Sequence, residues 1–89
     1  MDYQSVINKR IHDLCEKYGL SITGLAVAAN LRPTTLLNIM QGKVTQKPKI
    51  ENLHRIAFVF KMTLAEFFDF PEMEELAAEY FRKLESPKK

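Results

Sequence analysis

Residues 20–43 read LSITGLAVAANLRPTTLLNIMQGK, and this stretch decides the fold. It contains two short apolar segments, and each has a residue that favours a helix start. Ser21 can cap the first segment, and Pro33 suits the first helical position of the second. Asn30 lies between them and tolerates a positive φ, so it can form a tight turn, and Gly42 is typical of a helix end. The stretch therefore predicts two short helices joined by a tight turn.

Helical periodicity continues on both sides of this stretch. Before it, apolar residues recur at steps of three and four and predict a first helix: Tyr3, Ile7, Ile11, Leu14, Cys15 and Tyr18. After it, the same spacing predicts a fourth helix on Ile50, Leu53, Ile56, Ala57 and Phe60. Thr63 and Glu66 have the spacing of a capping box, which predicts a short fifth helix. No alternating strand pattern occurs, so we predict an all-α protein.

A sixth helix is predicted from Pro71, with an apolar stripe on Met73, Leu76, Ala77, Tyr80, Phe81 and Leu84. This stripe is too apolar to stay exposed in a stable monomer. It therefore either packs over the first and fifth helices or forms a two-fold dimer, and a partner protein could also cover it. We favour the dimer, and we expect residues 86–89 to be frayed.

Length and composition limit the classes of protein that the chain can belong to. It has 89 residues, 46% hydrophobic and 27% charged, which suits one globular domain. Its longest apolar runs, residues 25–29 and 56–60, are far shorter than the roughly 20 residues of a membrane helix. The N-terminus lacks the pattern of a secretory signal, and the one cysteine, Cys15, cannot form an internal disulfide. We therefore predict a cytoplasmic protein that does not contact membranes.

The formal net charge of +2 conceals an asymmetry. Residues 1–61 carry nine Lys/Arg against four Asp/Glu, whereas residues 62–89 carry four against seven. Most of the excess lies in residues 30–61, where Glu51 alone opposes Arg32, Lys43, Lys47, Lys49, Arg55 and Lys61. A basic segment of this kind suits a polyanion-binding face, and equally a solvated face with no partner. Charge alone does not decide the function.

Residues 20–43 resemble the helix-turn-helix core of the Cro and phage-repressor family, also called the XRE family. The resemblance continues through KPKIENLHRIAFVFKMTLAEFF, residues 47–68, and covers residues 6–68 in all. It implies a compact five-helix bundle of the lambda-repressor-like type, to which this chain adds a C-terminal helix. We expect residues 1–70 to form the DNA-binding domain and residues 71–85 the additional helix.

The resemblance also implies how DNA is bound. The second helix of the motif enters the major groove of double-stranded DNA, and the first crosses the phosphate backbone. Base contacts are then expected from Arg32, Pro33, Thr34, Leu37 and Asn38. In this set Asn38 can pair with adenine, Thr34 offers a hydroxyl and a methyl, and Leu37 offers apolar contact. Phosphate contacts are expected from Ser21, Gln41, Lys43, Lys47 and Lys49.

Four positions differ from the usual pattern of the family. Ile22 stands where a phosphate-holding Gln is usual, Arg32 replaces a Ser or Thr cap, Asn30 replaces Gly, and Leu37 replaces a polar residue. Two interpretations follow: a DNA-binding domain with a less polar base-reading face, or a family member whose surface now meets a protein. We favour the first, because polar groups remain beside the basic loop at Thr34, Asn38, Gln41 and Lys43.

Other kinds of site have less support. His12 and Cys15 are three residues apart, but a zinc site needs about four ligands and His54 is the only other His or Cys. Cys15 also belongs to the apolar stripe of the first helix, which favours a buried thiol. No glycine-rich phosphate loop, nucleophile elbow or HExxH motif occurs. We therefore predict no metal, no cofactor, no small-molecule substrate and no enzymatic activity.

Together these features predict a small transcriptional regulator that binds a specific double-stranded DNA sequence and represses by occupying an operator. It is expected to act as a homodimer, with dimer contacts from Met73, Leu76, Tyr80, Phe81 and Leu84. The alternative is a protein-interaction module, such as an antitoxin or a regulator subunit whose main partner is a protein.

Overall fold

The computed structural model describes residues 2–41 and 48–85, which form six helices and no strand. The helices are α1 (Tyr3–Tyr18), α2 (Ile22–Ala28), α3 (Pro33–Gln41), α4 (Ile50–Val59), α5 (Leu64–Phe67) and α6 (Pro71–Glu85). The prediction of an all-α bundle of five helices with a further C-terminal helix is confirmed.

Local capping interactions set the helix boundaries. The Asp2 carboxylate accepts the Ser5 N–H at 2.8 Å and starts α1, and this hydrogen bond lowers the pKa of Asp2. Gly19 ends α1 in the left-handed region, with φ 67°. At α5 the Thr63 hydroxyl accepts the Glu66 N–H at 3.0 Å, while the Glu66 carboxylate accepts the Thr63 N–H at 2.8 Å. The predicted capping box is therefore present.

The main core lies between α1, α3 and α4, with α2 and α5 closing it. Its most completely buried side chains come from all five helices: Ile11, Leu25, Leu36, Ile56 and Phe67. Ala26 is also fully buried, where its small side chain leaves room for α2 to cross its neighbours. The core has no buried polar or charged side chain among the described residues. Apolar burial therefore provides the main stabilisation of the bundle.

Arg10 joins α1 to α5. Its guanidinium donates to the carbonyl oxygens of Phe67 at 2.8 Å and Glu66 at 2.9 Å. The same group lies 4.8 Å from the centre of the Phe70 ring, a cation–π distance. These carbonyls lie at the end of a four-residue helix, so a side chain from a distant part of the sequence satisfies them. This cation is consequently engaged inside the fold.

A second, smaller cluster holds α6 against α1. It consists of Val6, Phe70 and Leu76, with Met73 packed at its edge. Lys9 adds a link, since its ammonium lies 3.6 Å from the Glu72 carboxylate. The beginning of α6 is therefore part of the folded body.

Ile50 corrects the predicted apolar face of α4. The sequence pattern grouped it with the other apolar positions of this helix, but its side chain is 69% exposed. It shares the i, i+4, i+8 row with His54 and Phe58, which are exposed as well. Leu53, Ile56, Ala57 and Phe60 are buried as predicted. Ile50 lies three residues before Leu53, and this spacing alone did not show whether its side chain belongs to the buried row or to the exposed row of α4.

Four of the sequence predictions fall on residues that are not described. Outside residues 2–41 and 48–85 lie the predicted helix end at Gly42, the predicted phosphate contacts Lys43 and Lys47, and the frayed segment 86–89. Within the described residues, no helix has the length and apolar character needed to cross a membrane.

Candidate nucleic-acid interface

The turn between α2 and α3 is built from backbone hydrogen bonds around Asn30. Asn30 adopts φ 57°, as its type allows, and reverses the chain. The Leu31 N–H donates to the Ala26 carbonyl at 2.9 Å, and the Ala29 N–H donates to the Leu25 carbonyl at 2.8 Å. The Arg55 guanidinium also donates to the Asn30 carbonyl at 3.3 Å, which ties the turn to α4. The two helices of the motif are thereby held in one arrangement.

Helix α3 has one buried side and one exposed side. Leu36, Ile39 and Met40 are buried and anchor the helix to the core. The opposite side carries predicted DNA contacts, of which Pro33, Thr34, Leu37 and Gln41 are exposed and Asn38 is half-buried. Arg32, which comes immediately before the helix, is exposed as well. Leu37 is 43% exposed at the middle of this side. The predicted base-contacting residues are thus gathered on one accessible strip.

The strip itself is uncharged. Helix α3 contains no Asp, Glu, Lys or Arg over its nine residues. Positive charge follows the chain on both sides of the helix, on Arg32 immediately before it and on Lys49, the residue that precedes α4. Both side chains are exposed. The described part of the interface therefore combines a neutral helix with flanking cations.

Ser21 is exposed at the start of α2 and caps it. Its hydroxyl oxygen accepts the Gly24 N–H at 2.9 Å. A hydroxyl that accepts one hydrogen bond can still donate its own hydrogen. Ser21 therefore keeps a donor for the predicted phosphate contact while it holds the helix end.

These features match a known family. The sequence matches the Cro/C1-type HTH DNA-binding domain over residues 10–72, which is most of the chain. The chain belongs to this family. The prediction from residues 20–43 is confirmed, and α2 and α3 are the helix-turn-helix of a Cro/C1-type domain. A family of DNA-binding domains also agrees with the prediction that the protein is not an enzyme.

A solved structure shares the fold. The crystal structure of the prophage Lp1 protein 11 is similar with a TM-score of 0.71, over 81% of this chain and 93% of that chain. The two sequences are 21% identical, so the similarity establishes the fold alone. No curated protein is significantly similar to this sequence.

This Cro/C1-type domain also has a groove beside α3, which the sequence did not predict. It encloses about 460 Å³, and α3 forms one wall with Leu37, Met40 and Gln41. Ile22 lies at the start of α2, and α1 supplies a polar wall of Gln4, Ser5, Asn8 and His12. The spacing of Gln4, Asn8 and His12, four residues apart, could have indicated a shared polar face. The packing of that face beside α3 depends on the fold.

The structure narrows the predicted dimer surface on α6. Leu76 is only 2% exposed because it packs on Val6 and Phe70, so it is not accessible to a partner. Met73 is half-buried at the same cluster. Phe81 and Leu84 are 63% and 75% exposed, and Tyr80 contacts the Tyr3 ring at 5.6 Å between centroids while remaining partly open. The accessible apolar surface therefore lies on the second half of the helix.

Cys15 is buried in the core of this domain. Burial raises the pKa of its thiol. Within residues 2–41 and 48–85, no three His, Cys, Asp or Glu side chains are grouped so that they could hold a metal ion. Cys15 is best explained as a small apolar side chain of the core.

Proposed function

We propose that this Cro/C1-type protein is a sequence-specific transcriptional regulator that inserts α3 into the DNA major groove and represses by occupying an operator as a dimer. The observation that supports this most directly is the exposed strip of α3. A helix anchored on one side by three apolar residues presents five predicted contact residues on the other. The rigid turn at Asn30 supports the same proposal, because it holds α2 where it would cross the phosphate backbone.

Each predicted contact has a distinct part in this proposal. Asn38 pairs with an adenine edge, and Thr34 and Leu37 contact base edges or a thymine methyl. Arg32 reaches a guanine or a phosphate from the start of α3. Ser21, Gln41 and Lys49 contact phosphates, which fixes the protein on the duplex without reading its sequence.

The alternative function, a protein-interaction module, is favoured by one observation. Leu37 exposes an apolar side chain in the middle of α3, and a protein partner would bury it as readily as a thymine methyl would. The two functions differ in their response to DNA, because phosphate contacts release counterions and make affinity depend on salt.

The first test is fluorescence anisotropy of the purified protein with random duplex DNA, from low to physiological salt. Binding that weakens steeply as salt increases is expected, since phosphate contacts carry sequence-independent affinity. Absence of binding at low salt would contradict the proposal and favour the protein-interaction module.

The second test separates base contact from phosphate contact. After selection of an operator from random duplexes, Asn38→Ala should weaken operator binding by about 1–3 kcal/mol and leave binding to random duplex unchanged. Lys49→Ala should weaken both by a similar factor, because a phosphate contact does not read sequence. Thermal melting of both variants verifies that the fold is intact. Unchanged operator affinity of Asn38→Ala would remove this residue from the base-reading set.

A further inference from the structure

The groove between α1 and α3 lies at the edge of the proposed DNA interface. Two of its lining residues, Leu37 and Gln41, belong to the exposed strip of α3. A duplex that receives α3 in its major groove therefore brings its sugar-phosphate backbone over the side chains on the opposite wall. That wall is α1, which has no part in the helix-turn-helix.

Of the polar side chains on the α1 wall, Ser5 and His12 are exposed, and among the groove residues an imidazole is the one group that can become a cation. The Gln4 amide is engaged inside the fold, where it donates to the Ile39 carbonyl near the end of α3. Asn8 is half-buried, whereas His12 is exposed, and both line the groove. An imidazole ring can donate an N–H in its neutral form and two when it is protonated.

The groove residues of α2 and α3 are Ile22, Leu37, Met40 and Gln41, which carry no titratable group. On α1, Lys9 and Asp13 pair with each other at 2.6 Å, and Glu16 lies one turn further along the same helix. Among the described groove residues of α2 and α3, none carries a charge that would compete with a phosphate.

We propose that His12 is a phosphate-binding residue of the DNA interface, and that it makes affinity for DNA increase as the pH falls. The proposal rests on the proposed function, because it requires a duplex seated on α3. An imidazolium ion pairs with a phosphate oxygen through a charge-assisted hydrogen bond, whereas the neutral ring donates a weaker one. Histidine changes charge between about pH 5 and 8, so this contact strengthens over a physiological range.

The chain offers a matched control, since its second histidine lies elsewhere. His54 is on α4, in a cleft with Phe58, Met62 and Leu64. The experiment measures anisotropy of random duplex DNA with the full chain, His12→Gln and His54→Gln, at pH 6 and pH 8 over a salt series. Glutamine keeps an N–H donor and removes the titration.

We expect the unmodified chain and His54→Gln to bind about fivefold more tightly at pH 6 than at pH 8, and His12→Gln to lose most of this difference. At pH 6 the slope of log affinity against log salt should be smaller by about one for His12→Gln, as for one lost ion pair. Thermal melting should be unchanged, because His12 is exposed.

Two outcomes would overturn the proposal, and they are distinguishable from failure of the proposed function. If the unmodified chain binds duplex DNA and His12→Gln has the same affinity, pH dependence and salt slope, His12 has no contact with phosphate. If His54→Gln loses the pH dependence to the same degree, the effect does not arise in this groove. If the unmodified chain binds no duplex at low salt and either pH, both the proposed function and this proposal are wrong.

Discussion

At the scale of single residues, two non-glycine residues in the described part of the chain adopt a left-handed backbone conformation, which favours glycine. Asn30 has φ 57° in the turn between α2 and α3, and Lys61 has φ 58° after α4. Asparagine tolerates the left-handed region, whereas lysine with its Cβ is strained there. Lys61 accepts this conformation because the chain must reverse: its N–H donates to the Phe58 carbonyl at 2.9 Å, and the Met62 N–H donates to the Ala57 carbonyl at 3.0 Å. The backbone is therefore strained at Lys61.

Lys61→Gly should stabilise the protein. Glycine removes the Cβ penalty of the left-handed region, and the expected gain in the free energy of unfolding is about 0.5–1 kcal/mol. Urea denaturation followed by circular dichroism measures it. Lys61→Ala is the control, since it shortens the side chain but retains the Cβ, and it should give no gain. Equal stabilisation by both variants would attribute the effect to the lysine side chain.

Residue-scale features were predicted from the sequence where they are local. Ser21, Asn30 and Thr63 act on groups within a few positions, so their side-chain types were sufficient to place the helix ends. His12 was considered only as a metal ligand, because its nearness to Leu37 and Gln41 arises from how α1 packs on α3. Ile50 was misplaced for a similar reason, since spacing did not identify which of two adjacent rows faces the core.

At the scale of elements, α5 is a short helix that contributes a fully buried aromatic side chain to the core. It has four residues, yet it places the Phe67 ring in the core with no exposed surface. A helix of this length does not persist through its own hydrogen bonds. The capping box at its start and the Arg10 guanidinium at its end hold it in place.

Thr63→Ala should lower the free energy of unfolding by about 1 kcal/mol, because the Glu66 N–H loses its side-chain acceptor. Thr63→Ser retains the hydroxyl and should remain close to the unmodified chain. Both are measured by urea denaturation. At temperatures well below melting, DNA affinity of the alanine variant should be unchanged, since α5 lies away from α3. Stability of Thr63→Ala equal to that of Thr63→Ser would show that the cap contributes nothing.

Helix α6 shows how far element predictions extend. Its start at Pro71 and its apolar stripe were evident from composition and spacing. The sequence did not show which part of the stripe is buried, because Leu76 is buried by its contacts with Val6 and Phe70 in the folded structure. The sequence left packing and dimerisation open for the whole helix, whereas the structure assigns packing to its beginning and leaves its end accessible.

At the scale of the whole molecule, the exposed end of α6 is the surface on which we propose that two copies associate. Tyr80, Phe81 and Leu84 form an apolar strip that no described part of the same chain covers completely. A two-fold dimer would place two α3 helices on half-sites about one helical turn of DNA apart. In the proposed function, operator recognition would therefore depend on oligomeric state.

Tyr80→Glu combined with Phe81→Glu should convert a dimer to a monomer, because burial of two carboxylates in an apolar contact is costly. Light scattering coupled to size-exclusion chromatography measures the mass in solution. Arg82→Glu is the matched control, since it changes the net charge by the same two units at an exposed position of α6 outside the apolar strip. An unchanged mass of the Tyr80 and Phe81 variant would remove this strip from the dimer contact.

The absence of charge on α3 has a consequence for how the proposed regulator would find its operator. Attraction to any duplex would come from phosphate contacts of cations such as Lys49, while most base edges would meet a neutral helix. Long-range capture and sequence discrimination are therefore assigned to different side chains. Salt would set how long the protein travels along non-operator DNA before it leaves, whereas the stopping point would be set by short-range fit. Mutations could then change search time and sequence choice separately.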